Sequence, residues 1–319
     1  MNSFTVICAD AFIWNYNETV EFLVKHQGQH IYLDLNNEAP DCEKIGLYKL
    51  LDNFQFAGVI IQTQNQLETH HRYGIEYVPM RYLEVRKPVE SQYHVWNGHK
   101  LFSAYYGRPL WHRLGLAAHL HDQHREKSLI NLRGTYTDPD SRKLFEIAEL
   151  FYRAPEQFKS FARLADQLPL LIEHQDGYTP GTQDTTGFTE QLLEFYSNVL
   201  IDVVAESYTS GDIFYPTEKT FRPMMMKKPF MAMAPRNFLI YLRQMGFRTF
   251  HDFWNEDYDG YDATEKFTQI INLIDNLANK TTAELNQMYI DMTSVLDHNY
   301  NMLMNRTYTQ KITRIGIDQ

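Results

Sequence analysis

Cysteine is nearly absent. Cys8 and Cys42 are the 2 cysteines in 319 residues, and both stand in apolar, strand-like surroundings. Such usage fits a reducing compartment better than a disulfide framework. Long apolar runs are missing too: none approaches the ~20 residues that a membrane-crossing helix needs. No basic stretch precedes the first apolar segment, so no secretory leader is expected and the expected location is cytoplasmic. The Asn-x-Thr sequons at Asn17, Asn279 and Asn305 then read as chance matches. Positive charge is in short supply, with Lys+Arg 30 against Asp+Glu 40 for a net charge of -10, which argues against a broad nucleic-acid surface. Gly-x-Ser-x-Gly, P-loop and Gly-x-Gly-x-x-Gly patterns do not occur, so the common hydrolase, NTPase and dehydrogenase signatures drop out. There are no internal repeats and no low-complexity segment.

What is present is a folded chain's composition, 44% hydrophobic and 14% aromatic, and enough length for two domains. The pattern alternates strand and helix. Residues 4–8 predict a strand ending at Asp10, Asn17 starts a helix, and 31–35 predict a second strand leading to Glu38. Ile45, Leu47, Leu50 and Leu51 make a helical stripe; 58–62 predict a third strand, with strand material at 77–79 and 82–85. A polar stretch at 90–98 marks a boundary, after which the pattern restarts with a strand at 100–104 and a helix from Trp111. Further strands are expected at 128–132, 199–204 and 229–234, with helices at 142–153 and 155–165. Residues 176–187 are rich in turn formers and are expected to be a mobile loop; Asn237 is expected to cap a helix that Gly246 stops, and 263–304 are largely helical. The fold class expected is α/β, with parallel sheets, helices on both faces and ligands beyond the strands' carboxyl ends. Three segments follow: 1–97, 98–290, and a helical 291–319 expected to pack back on the first domain.

Residues 201–234 concentrate the chemistry. A buried strand ends at Glu206, a loop with Gly211 and Asp212 follows, and Tyr215-Pro216-Thr217-Glu218-Lys219 opens a helix. Thr217 suits the N-cap. Free N–H groups and the dipole at that helix start favour a phosphate, Lys219 adds a full charge, and an ionised Glu218 could hold a pair of sugar hydroxyls. The same Glu-Lys pair also suits an ordinary solvated helix start. Arg108 and Arg113 sit at or just past another strand's end, the place for a diphosphate clamp. These features describe half of a nucleotide-diphosphate site.

The Glu206 and Tyr215–Lys219 block resembles the donor-binding signature of the α-1,3-fucosyltransferase family, Glu-Asn-Ser followed by Asp-Tyr-(Ile/Val)-Thr-Glu-Lys. The strand around Ser103 with the Arg113 helix, and Asn36-Asn37-Glu38-Ala39-Pro40 beside the family's Phe-Glu-Ser-Pro segment, are similar as well. Residues 228–250 also resemble a set of viral and bacterial chains carrying a Thr-Glu-Lys helix, a Lys-Pro-Phe strand and a Gly-Phe-x-Thr-Phe turn. The resemblance covers most of 31–275. It implies a GT-B-like architecture of two facing Rossmann-type domains with a helical C-terminal end, and an inverting glycosyltransferase using a GDP- or UDP-sugar. Glu38 is then the base that deprotonates the acceptor hydroxyl, with Asp10 as runner-up. Arg113 and Lys219 meet the leaving diphosphate, Glu218 the ribose, Glu206 ribose or sugar hydroxyls, and Tyr215 the phosphate or sugar; Arg108 is added from position alone. Glu206-Ser207-Tyr208 departs from the family's Glu-Asn-Ser, which leaves the donor's identity open.

No cofactor beyond the nucleotide-sugar co-substrate is expected, and no metal. Asp138-Pro139-Asp140 has Asp-x-Asp spacing but reads as a helix-starting turn; His119, His121 and His124 could ligate zinc, but His119 and His121, two apart, point away from each other on a helix, and all three read as surface and core histidines. The acceptor is a glycan or, alternatively, a hydroxymethylated base in phage DNA; the chain then works in a host's cytoplasm. A non-catalytic nucleotide-sugar-binding protein is the third reading, one that loss of the base would mark. Composition and motifs specify no oligomeric state.

Overall fold

A computed structural model describes residues 2–10, 13–36, 39–80, 96, 98–135, 142, 145–149, 155–170, 196, 198–309 and 311–315. The first sheet is parallel throughout, with order β1-β4-β5-β6: β1 is Asn2–Thr5, β4 His30–Asp34, β5 Gly58–Thr63 and β6 Gly74–Tyr77. The expected strand at 4–8 stops early. Asn15 is the reason: its side-chain amide donates to the Thr5 carbonyl and its Oδ1 accepts from the Ile7 N–H, diverting the chain. Cys8–Asp10 (β2) and Ile13–Trp14 (β3) instead form a small antiparallel hairpin, so Asp10 closes β2; its side chain is outside the described set.

Helices α1 (Tyr16–Lys25) and α2 (Leu47–Leu51) cover this sheet. Leu23, Leu47 and Leu51 pack with Ile31, Leu33, Val59 and Ile61 in one core. Burial alternates along β4 and β5, so among the described residues one face is closed and the other half-covered, not both closed as expected.

The second sheet has order β10-β9-β7-β8 and is also parallel: β7 is Lys100–Tyr106, β8 Ser128–Leu132, β9 Val199–Ala205 and β10 Phe230–Met233. All 7 residues of β9 are buried, as a central strand between two helical layers should be. Helices α3 (Trp111–Gln123), α4 (Pro155–Ala165), α5 (Glu218–Met225) and α6 (Phe238–Gln244) join it. Three more, α7 (Ala263–Ala278), α8 (Thr282–Asp291) and α9 (Thr293–Asn305), form the helical end. Helix α9 lies on α5 of the second domain, and past it Arg314 donates to Thr69 of the first.

Two parallel sheets with packed helices and a helical end are the α/β class expected. Asn237 holds the N-cap position of α6 as expected, but in a left-handed conformation (φ 63) and with no cap bond from its side chain; Asp259 Oδ2 accepts from Leu239 N and Ile240 N instead. The strand expected at 82–85, the loop at 176–187 and most of the boundary at 90–98 fall outside the described residues.

Candidate functional site

The chain leaves β9 at Ala205 and Glu206, and four side chains from two helices converge there. Glu206 is 1% exposed. Its carboxylate accepts from Thr217 N (3.0 Å), Thr217 Oγ1 (2.5 Å) and Thr220 Oγ1 (2.5 Å), which ties the start of α5 to the end of β9. From α3, His112 Nε2 meets the Glu206 carbonyl at 2.8 Å, and Arg113 Nε donates to the Ala205 carbonyl at 3.2 Å. A carbonyl can only accept, so His112 carries its proton on Nε2. Burial, then the Arg113 charge, hold His112 well below the usual histidine range and keep it neutral.

Thr217 is the N-cap expected: extended at φ -106 and ψ -174, it accepts from Lys219 N. Lys219 Nζ sits 3.0 Å from Glu218 Oε1 and 3.1 Å from Thr217 Oγ1. Glu218 also faces Arg222 at 3.6 Å, and its other oxygen, Oε2, is buried with no hydrogen-bond partner. Burial pushes Glu218 up, but the Lys219 and Arg222 charges overcome it and bring the carboxyl down to about 2. Glu218 is therefore an anion at any working pH, with one oxygen left over.

Behind this block is a second polar cluster that sequence reasoning missed. Arg222 stacks over the Tyr105 ring at 4.9 Å. Asp202, inside β9, accepts from Ser103 Oγ at 2.8 Å and from the Tyr196 hydroxyl at 2.5 Å. Burial raises Asp202 to about 6 against those hydrogen bonds and the Arg222 charge. A lone acid inside Val-Leu-Ile-Asp-Val-Val-Ala was the available signal.

A cavity of about 530 Å³ lies between loops of the two sheets. Its walls are the loops that follow β4 (Asp41, Glu43), β5 (Glu68, His70), β9 (Ser210, Asp212) and β10 (Arg236), so it opens at the carboxyl edges of both sheets. Glu68 is buried and pushed up by that burial while accepting from the Tyr48 hydroxyl (2.6 Å) and Cys42 N (3.1 Å). Arg236 is exposed and makes no hydrogen bond or ion pair among the described residues.

The expected residues are thus distributed unevenly. Arg113, Glu206, Thr217, Glu218 and Lys219 come together. Arg108 contributes its carbonyl, which accepts from Arg113 NH1 at 3.4 Å. Tyr215 is buried with Tyr208, Ile213 and, from the first domain, Ala39, so an apolar cluster takes the ring expected on a phosphate or sugar. Glu206, expected on sugar hydroxyls, has both oxygens taken up by Thr217 and Thr220. Glu38, Asp138 and Asp140 lie outside the described residues, although Ala39 beside Glu38 is in place. His119 and His124 meet Asp275 at the other end of α3, away from this site.

No protein-family profile matches the chain, and no curated relative matches it. Among solved structures it is similar to the N-terminal domain of Candida albicans trehalose-6-phosphate phosphatase, at 11% identity and TM-score 0.40, over 87% of this chain and 64% of that one. It is also similar to a glycosyltransferase of Rickettsia africae (11%, TM-score 0.32, 92% of this chain and 78% of that one). A third is the UDP-forming α,α-trehalose-phosphate synthase of Burkholderia vietnamiensis (12%, TM-score 0.37, 90% and 66%). The chain thus spans less than two thirds of the first of these. At such scores none of them bears on what this chain does.

Proposed function

We propose that this chain is a glycosyltransferase that moves a sugar, with inversion, from a nucleotide-diphosphate donor to an acceptor hydroxyl. One observation carries the reading: Arg113 from α3 and the Thr217–Lys219 helix start are both anchored on Ala205–Glu206, at the carboxyl edge of β9. Positive charge gathered there meets the leaving diphosphate as its charge develops, which is what such a transfer asks of the protein. Glu206 positions the helix start and does not itself face the donor. Glu218 Oε2 is the acceptor offered to ribose hydroxyls. No metal takes part in this chemistry.

Glu38 is the base, with Asp10 as runner-up; the base takes the acceptor's proton as the oxygen attacks the anomeric carbon from the face opposite the nucleotide. The cavity favours a neutral glycan as acceptor over DNA. Its walls carry Asp41, Glu43, Glu68, Asp212 and Asp262, Arg314 is already paired with Asp212, and a phosphate backbone would be repelled.

A thermal-shift series with UDP, GDP, CMP and ADP and their sugars, with and without manganese, tests the reading. One nucleotide diphosphate should stabilise the chain by roughly 2–4 kcal/mol at saturation, equally in EDTA. In Glu38→Gln, transfer should vanish while that shift remains; transfer surviving there moves the base to Asp10 or Glu68. Lys219→Ala should weaken donor binding about 10- to 100-fold, the value of a charge-assisted hydrogen bond. Silence from every nucleotide sinks the proposal.

A further inference from the structure

We propose that His119, His124 and Asp275 form a divalent-metal site of zinc type that staples α3 to α7. His119 Nε2 and His124 Nε2 approach the same oxygen, Asp275 Oδ1, at 2.8 and 2.6 Å. All three ligand atoms lie within 4.8 Å of one another. Two imidazoles and one carboxylate are a borderline-soft donor set that suits Zn2+, with a water completing four-coordination.

The residues are held for this. His119 projects from α3, but His124 has left it: the helix ends at Gln123, and His124 is its C-cap at φ -133. The two rings meet edge to face at 5.4 Å, and the Phe102 ring lies 6.2 Å from His124. Asp275 comes from the last turn of α7, a separate element. Lys127 Nζ, just beyond His124, donates to the carbonyl of Ala278 one turn after Asp275, at 2.5 Å, and fixes the spacing of the two elements. The site is reachable: side-chain exposure is 18% at His119, 15% at His124 and 43% at Asp275. His121, two residues from His119, points elsewhere and meets Gln167 Oε1 at 3.0 Å. Spacing alone rules out the His119–His121 pair and sets aside all three histidines, His124 included, as ligands.

Coordination exchanges two hydrogen bonds for two metal–nitrogen bonds. Each ring gives up its Nε2 proton, which appears on Nδ1 or leaves to solvent, and Asp275 binds as the carboxylate. From Arg113 to His124 the helix rise is about 16 Å, so the ion sits far from the candidate donor site and acts on stability.

Calorimetric titration of the full chain, stripped with chelator, with zinc chloride tests this. One equivalent should bind, raise the melting temperature, and release protons to the buffer. Cobalt(II) bound in its place should show the intense visible bands of a four-coordinate ion. His119→Gln, His124→Gln and Asp275→Asn should each weaken binding by at least about 100-fold, since outer ligands alone cost 10- to 100-fold. His121→Ala should leave it unchanged. No heat and no melting shift in the wild-type chain overturns the proposal, as does zinc binding that survives both histidine substitutions. Activity below the melting temperature should be the same with and without the ion, so failure here leaves the transferase reading standing.

Discussion

Glu206 holds three donors at once, and that makes its role separable from ligand binding. Glu206→Gln replaces one acceptor oxygen with a donor and leaves a buried hydroxyl, from Thr217 or Thr220, without a partner. The expected loss is about 1–3 kcal/mol of unfolding free energy, measured by urea denaturation with no donor present. An unchanged midpoint would mean that the helix start is held by something else. Asp202 gives a prediction of the opposite kind. Its folded value is about 6, above the ordinary 3.8, so the native state binds the proton more tightly than the unfolded chain. Its protonated form is favoured on folding, and this contribution is complete below pH ~4 and lost as pH rises through about 6. A gap of roughly two units corresponds to about 3 kcal/mol. Asp202→Asn removes the titration, so its stability should change less than wild type's between pH 4 and 6. Parallel pH profiles for the two proteins would refute the assignment.

At the scale of the element, α6 owes its start to a residue outside it. Asp259 caps Leu239 and Ile240 through Oδ2 and faces Lys266 Nζ through Oδ1 at 3.4 Å. Lys266 is fully buried and also donates to the carbonyls of Ala234 and Pro235, so one ion pair locks β10, α6 and α7 together. Asp259→Ala strips the cap and leaves a buried ammonium without its counter-ion, at an expected cost of about 3–5 kcal/mol. Pairing it with Lys266→Met should recover much of that loss, read as the coupling in a double-mutant cycle. Additive losses would show that the two groups act independently.

The contrast with Thr217 shows what could be read from the sequence. Thr217 caps its own helix two residues on, a local event that any Thr-Glu-Lys after a proline announces. Asp259 caps a helix that precedes it, and no spacing rule reaches backward across that loop. Strands β4, β5, β7 and β9 were legible because apolar runs must be buried wherever they pair. The hairpin at Cys8 was not, because one asparagine side chain, Asn15, decides it. Glu206 was legible as important and misread in kind: position marked it, but only the fold shows that Thr217 and Thr220 occupy it.

Among the described residues two main cores meet, and one loop carries most of the polar bonds between them. Ile31, Leu33 and Ile61 belong to the first, Ile201, Met231 and Ile274 to the second. Residues 210–214 bridge them. Asn65 donates to the Asp212 carbonyl at 2.9 Å and accepts from Phe214 N at 3.0 Å, while Asp41 Oδ2 accepts from Asp212 N at 2.8 Å. Lys44 reaches Ser210, and Arg314 pairs with Asp212. Gly211 makes this approach possible: at φ +95 it is in the left-handed region, and a Cβ there would stand 2.9 Å from Asp41 Oδ2. Each of these polar bonds is worth about 0.5–1.5 kcal/mol, and they stand beside apolar contact, Ala39 with Tyr208, Ile213 and Tyr215, and Leu67 and Met80 in the second core. Asn65→Ala removes two of the polar bonds and leaves the proposed donor groups, all in the second domain, untouched. Donor affinity should therefore hold. Transfer needs the base of the first domain aligned with the sugar on the second, and a misplacement near 1 Å costs ~100-fold. A fall in kcat of that order with an unchanged donor dissociation constant is the expected result. Undiminished kcat in Asn65→Ala would place both the base and the donor groups within one domain.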